Sequence, residues 1–260
     1  MEMPRNQFKR RLADDGVQYG MWVSLADPVA AEISAGAGFD WLMIDAEHSP
    51  NDLRTLLMQL QAVTGYDVSP VIRPPRGDTV LIKQYLDIGA QTILVPMVET
   101  AEQASELVQA MRYPPHGVRG VATARASRWG RVDNYWKHAN GETCLLVQIE
   151  TIRGVSNLMD IAAVDGVDGV FIGPSDLGAA LGHLGDATHP EVLEAVTASI
   201  AAVRAAGKPA GVLSVNPTLA RQFRDAGASF VAVGVDTSLL AKQTKELADS
   251  FIGETRKTDG

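Results

Sequence analysis

The chain is predicted to fold as a single (β/α)8 TIM barrel. Eight short apolar runs of strand length recur along it, and amphipathic segments near the helical period of about 3.6 residues separate most of them. Strand–helix alternation repeated in this way argues for a parallel sheet closed on itself. Its 260 residues suit one barrel domain spanning 1–260.

The strand-like runs lie at 20–25, 41–44, 70–72, 92–95, 145–149, 169–172, 210–213 and 230–233. Each is short and apolar, as a strand buried on both faces is. Helical patterns lie at 28–37, 52–64, 79–88, 101–111, 155–163, 190–206, 218–226 and 238–251. Asp27 before Pro28, Asn51 before Asp52 and Asn216 before Pro217 offer starting caps. Gly38, Gly65, Gly89, Gly207 and Gly227 stand where helices should stop. One long loop, 112–143, is rich in Gly, Arg and aromatic residues. It leaves a helix end and re-enters at a strand start, so it is anchored on the N-terminal face of the barrel. It is either an ordinary surface loop or a segment that reaches a neighbouring subunit's site.

Composition narrows the partners. Acids outnumber bases 31 to 23, a net charge of −8, and no basic run stands out, which argues against nucleic acid. No run approaches the roughly 20 apolar residues of a membrane span, and residues 1–16 lack the apolar centre of a signal peptide. A cytoplasmic protein is expected. The lone Cys144 cannot form an internal disulfide and reads as a small buried hydrophobe.

Barrel active sites gather at the C-terminal rim of the strands. The polar residues expected there are Trp22, Asp45, Glu47, His48, Arg73, Gln148, Glu150, Ser175, Asp176 and Asp236. Glu150 and Asp176 are the metal candidates. Two acids at adjacent strand tips repel unless a cation neutralises them, and carboxylates suit hard divalent ions. The alternative for Asp176 is a cap or turn former. Gly173-Pro174-Ser175-Asp176 offers backbone N–H groups to an anion, or else forms a plain tight turn. His48, close after Asp45, suits a general base. Arg73 suits an oxyanion or enolate, or a salt bridge to the rim acids. His116, His138, His183 and His189 lack acid clustering and read as structural or surface residues. No lysine falls at a strand tip: Lys208 precedes the seventh strand, and Lys83, Lys137, Lys242 and Lys245 fall in helices or the long loop. Imine chemistry is therefore disfavoured. So is a phosphosugar, because 214–216 and 234–236 lack the glycine-rich loop of the common barrel phosphate site.

Several stretches resemble the HpcH/HpaI aldolase family, the metal-dependent class II pyruvate aldolases. They are Asp45-Ala46-Glu47-His48-Ser49-Pro50, Tyr113-Pro114-Pro115-His116-Gly117, Ala124-Arg125-Ala126-Ser127-Arg128-Trp129, Val147-Gln148-Ile149-Glu150-Thr151 and Ile172-Gly173-Pro174-Ser175-Asp176-Leu177. The resemblance extends along most of the chain. It implies reversible cleavage of a 4-hydroxy-2-oxo acid to pyruvate, or hydroxypyruvate, and an aldehyde, in aromatic or sugar-acid catabolism. Glu150 and Asp176 would hold a divalent metal (Mg²⁺, Mn²⁺ or Co²⁺), with Gln148 nearby. Gly173, Pro174 and Ser175 would meet the pyruvate carboxylate, and Arg73 the enolate. His48, paired with Asp45, would handle the hydroxyl proton. Trp22, Leu213 and Glu47 would contribute to the substrate pocket. Val121, Ala122 and Arg125 match a segment contributed by a neighbouring subunit. A homo-hexamer, a trimer of dimers exchanging the helix at 238–251, is also implied; packing of that helix on its own barrel is the alternative. Ala46, Ser49 and Gly178 depart from the commoner family residues, which bears on the aldehyde accepted. Two rival readings are a CoA-thioester lyase of the citrate-lyase β type and a non-catalytic barrel that binds a small acid. The first is disfavoured because no CoA-binding extension or basic cluster is evident.

Overall fold

The structure, a computed structural model, describes residues 1–14 and 16–258, and side chains as far as Ile252. Eight strands close into a parallel barrel in sequence order: β1 (Gln18–Val23), β2 (Trp41–Asp45), β3 (Ser69–Arg73), β4 (Thr92–Val95), β5 (Cys144–Ile149), β6 (Gly169–Ile172), β7 (Ala210–Leu213) and β8 (Phe230–Val235). A short helix, α1 (Gln7–Arg11), precedes the barrel. Then follow α2 (Pro28–Ala35), α3 (Leu53–Ala62), α4 (Thr79–Asp87), α5 (Ala101–Met111), α6 (Tyr135–Glu142), α7 (Ile152–Ser156), α8 (Leu158–Ala163), α9 (Pro174–Ala180), α10 (Pro190–Ala205), α11 (Pro217–Asp225) and α12 (Asp236–Thr258).

Every expected strand forms. Alternation along each strand divides its side chains between two cores. In β2, Trp41 and Met43 face the barrel interior, whereas Ile44 packs outward with Ile72, Ile93 and Val147 against the helices. The interior is aromatic: Trp41 and Phe230 have ring centroids 6.2 Å apart, and Trp22 and Phe171 5.6 Å. Glycine makes room for them. A Cβ on Gly20 would lie 2.2 Å from the Trp41 ring, and one on Gly211 2.1 Å from Phe230.

α1 plugs the N-terminal end of this interior. Its Phe8 meets Trp41 at 5.8 Å and Phe230 at 5.7 Å, both edge-on, and is fully buried. Five residues are too few to show periodicity, so this helix was not expected from sequence.

Asp27 and Asn216 cap α2 and α11 as expected. The cap of α3 differs. Asp52, not Asn51, accepts the Arg54 and Thr55 N–H groups, while Asn51 accepts from Thr55 Oγ1 and Gln59 Nε2 and donates to the Asp45 carbonyl. The tight turn weighed for Gly173–Asp176 is instead the start of α9, with Gly173 as N-cap and Pro174 in its first turn.

The segment 112–143 is anchored on the N-terminal face. Arg119 is buried, lies 4.4 Å over the Tyr113 ring and reaches Asp87 at the end of α4. Arg125 donates to the Ile88 carbonyl at 2.6 Å. The start of α12 meets β1 and β8, and further along the helix Leu239, Leu240 and Leu247 are exposed. Among the described residues, no helix is long and apolar enough to cross a membrane.

Candidate active site

Strand parity aims the rim residues. Asp45 continues the inward series of Trp41 and Met43, and Glu150 that of Leu146 and Gln148. Register then decides which tips meet. Asp45 pairs directly with Arg73 across β2 and β3. The Arg73 guanidinium accordingly donates Nε–H to Asp45 Oδ1 at 2.9 Å and Nη2–H to Oδ2 at 2.8 Å, a two-point fork. Its Nη1 lies 2.8 Å from Glu47 Oε2, and its Cζ 5.1 Å from the Trp22 ring. Arg73 is therefore both the salt-bridge partner of the rim acids and a fixed cation with hydrogens left for an anionic oxygen.

The expected Asp45–His48 pair does not form. Asp45 is taken up by Arg73, and the carboxylate nearest His48 is that of Glu47, 3.7 Å from Nε2. His48 stands exposed at the pocket mouth.

Glu150 is 2 % exposed. It accepts the Met97 amide at 2.9 Å and the Gln148 amide, donors that are too few to offset its burial. Burial, with the charge of Asp176 added, holds its carboxyl above the ordinary Glu range. Met97 has a left-handed backbone (φ 57°), and sequence reasoning missed it because its contribution to the site is main-chain. Register places Ile149 beside Ile172, so Glu150 stands opposite Gly173. A Cβ there would lie 2.5 Å from Glu150 Oε2, which explains the glycine. Burial likewise raises the Glu47 carboxyl, with Glu150 adding and Arg73 opposing.

Trp22, Asp45, His48, Arg73, Gln148, Glu150, Gly173, Pro174, Ser175, Asp176 and Leu213 all line one rim pocket of about 490 Å³, with Glu47 behind Arg73. Phe171, Val235, Ser24 and Thr237 also line it and were not anticipated; the inward parity of Phe171 with Gly169 was the available signal. Asp236 has a structural role: it accepts the Ser24, Leu25 and Thr237 amides and ties β8 to β1. Val121, Ala122 and Arg125 do not join this pocket; the first two are exposed on the N-terminal segment. His183 and His189 were expected to lack acid neighbours, but the α10 start brings Glu191 to 2.8 Å from His183.

The donor set fits a hard divalent cation. The acids Asp45, Glu47, Glu150 and Asp176 face a single guanidinium, so an acidic substrate would be repelled without added positive charge. Gln148 Oε1 is buried with no hydrogen-bond donor among the described residues. Glu150 and Asp176 would hold such an ion, with remaining positions left to water and substrate.

Fold and site together define a (β/α)8 enzyme working at a carboxylate-lined C-terminal rim. Residues 18–243 match the model of the family described as HpcH/HpaI aldolase/citrate lyase, and the chain belongs to that family, which is generally dependent on a divalent metal. The chain is 60% identical over 255 residues to a hydroxypyruvate/pyruvate aldolase of Pseudomonas aeruginosa, covering 97% of this chain and 95% of that one. It is 53% identical over 258 residues to a 4-hydroxy-2-oxo-heptane-1,7-dioate aldolase of Salmonella heidelberg, covering 98% of each. A crystal structure of an HpcH/HpaI aldolase/citrate lyase family protein from Burkholderia cenocepacia J2315 superposes with a TM-score of 0.91 at 41% identity, over 96% of this chain and 99% of that one.

Proposed function

We propose that the chain is a divalent-metal-dependent aldolase that reversibly cleaves 4-hydroxy-2-oxo acids to pyruvate, or hydroxypyruvate, and an aldehyde. The observation that carries this reading is Arg73, forked onto Asp45 in the same pocket as Glu150 and Asp176. The names of the relatives agree with the substrate class. When bound at Glu150 and Asp176, a divalent ion would supply Lewis acidity at the substrate's oxo-acid end. Arg73 keeps its charge throughout and stabilises the enolate oxygen as the carbon–carbon bond breaks. His48 takes the C4 hydroxyl proton on cleavage and returns it on condensation, with the Glu47 carboxylate facing the imidazolium. Ser175 and Asp176 lie in the first turn of α9, where main-chain N–H groups lack helical acceptors and can hold the substrate carboxylate. Trp22 and Leu213 shape the apolar wall.

The exposed leucines of α12 support an exchange of this helix between subunits of a hexamer, with Val121 and Ala122 serving a neighbour's pocket and Arg125, held by the Ile88 carbonyl, anchoring their segment. A cytoplasmic enzyme of aromatic or sugar-acid catabolism fits this chemistry. The test is pyruvate release from a panel of 4-hydroxy-2-oxo acids, coupled to NADH oxidation by lactate dehydrogenase. EDTA should abolish it, and Mn²⁺, Mg²⁺ or Co²⁺ should restore it. Undiminished turnover by metal-free protein would sink the reading.

A further inference from the structure

A cavity at the N-terminal face of the barrel, opposite the carboxylate rim, concentrates arginine. It has a volume of about 190 Å³ and lies where segment 112–143 covers the ends of α3 and α4. Arg119, Arg125 and Arg128 line it with Gly89, Tyr135 and Glu142. Arg119 is 2 % exposed, yet its guanidinium makes only two long contacts: Nη2 lies 3.4 Å from Asp87 Oδ1 and 3.4 Å from the Tyr135 hydroxyl. Neither its Nε nor its Nη1 has an acceptor among the described residues. Arg73, also buried, has three contacts at 2.8 to 2.9 Å. A buried guanidinium is ordinarily forked onto an anion, and Arg119 is short of one. Arg125 is no better supplied. It donates to the Ile88 and Leu60 carbonyls and to Thr64 Oγ1, all uncharged, and burial together with the charge of Arg128 lowers its pKa. A Cβ on Gly89 would lie 2.6 Å from Arg125 Nη1, so the glycine leaves room for this guanidinium. The Arg128 side chain has no hydrogen bond or ion pair among the described residues. The acid of the lining, Glu142, is already held by Arg5, Arg10 and the Asn6 amide. The net charge of −8 does not cancel this cluster, because distant exposed acids are screened over about 8 Å at physiological salt.

We propose that Arg119, Arg125 and Arg128 form a binding site for a phosphate-class oxyanion, independent of Glu150 and Asp176. A phosphate offers more charge and more acceptor oxygens than a single carboxylate, as several guanidiniums require. It accepts from the Arg119 and Arg128 guanidiniums and offsets the charge of Arg125. Arg125 reaches the ends of α3 and α4, so the bound anion clamps segment 112–143 onto the barrel.

The test is isothermal titration of the metal-free full chain with inorganic phosphate, at an ionic strength held constant with chloride. One phosphate should bind per chain and raise the melting temperature. Arg128→Ala should weaken binding by about 10- to 100-fold, the loss of one charge-assisted hydrogen bond, and Arg119→Gln by at least as much. No binding, or binding that neither substitution weakens, would overturn the proposal. Should Arg119→Gln fail to fold, Arg128→Ala decides alone, with its far-ultraviolet dichroism unchanged. Glycerol phosphate titrated in parallel distinguishes the source: binding as tight as that of phosphate assigns a monoester, and weaker binding the free ion. Tighter binding of malonate than of either would overturn the phosphate assignment.

Discussion

Two buried glutamates at opposite ends of the barrel have opposite surroundings. At the N-terminal face, Glu142 accepts the Asn6 amide at 2.7 Å and meets Arg5 and Arg10 at 3.2 and 2.8 Å. Burial alone would raise its carboxyl, but these donors together pull it below the ordinary Glu range. At the C-terminal rim, burial raises the Glu150 carboxyl and Asp176 pushes the same way, against two amide donors among the described residues. The first glutamate holds α1 over the barrel end. The second is left short of positive charge, which a cation can supply. Satisfied charge marks the glutamate that stabilises the fold, and deficient charge the one built for chemistry.

The largest effect should appear at the rim. Glu150→Gln with Asp176→Asn should lower kcat/KM by about 10³-fold, comparable to or beyond the loss of one preorganised charge-stabilising group. The melting temperature of the metal-free protein should hold or rise, because the repelling pair is gone. A variant that loses stability but keeps kcat/KM would break the contrast. Next comes the plug. Phe8→Ala should cost about 3–5 kcal/mol in urea denaturation, as lost aromatic burial does, and leave kcat/KM per folded molecule unchanged. An altered kcat/KM would mean that the two ends are coupled.

The smallest effect is the dependence of stability on pH, and here the two ends should differ in sign. The lowered Glu142 carboxyl contributes stability that is present above the ordinary value of 4.5 and is lost as pH falls through its folded pKa. Glu142→Gln should therefore destabilise near neutrality and lose that effect in acid. The raised Glu150 carboxyl contributes in metal-free protein below 4.5, and that contribution is lost as pH rises through its folded value. Metal-free wild type should fall below Glu150→Gln as pH climbs from 4.5 through the raised folded value, and the gap should level off above it. Parallel pH profiles for the two variants would remove the electrostatic basis of the comparison.

Much of the rim was legible because strand ends are local signals: an apolar run stops at Glu150, at Arg73 or at Asp45, and each stop is a tip. The partner of Asp45 was not legible. Proximity in sequence pointed to His48, whereas β2–β3 register delivered Arg73. Glu191 with His183 was missed for a related reason: left-handed turns at Gly182 and Gly185 fold the intervening loop back, which helical or strand periodicity does not reveal.

By itself the sequence determined the order of strands and helices, the acids and the arginine at the strand ends, and the caps at Asp27 and Asn216, because propensity, periodicity and capping act over a few residues. Only the tertiary structure decided that Arg73 locks Asp45, that Gly173 must lack a side chain for Glu150 to fit, and that Phe8 seals the far end. Those relations depend on barrel register and on contacts between residues far apart in the chain, which arise only when all eight strands close.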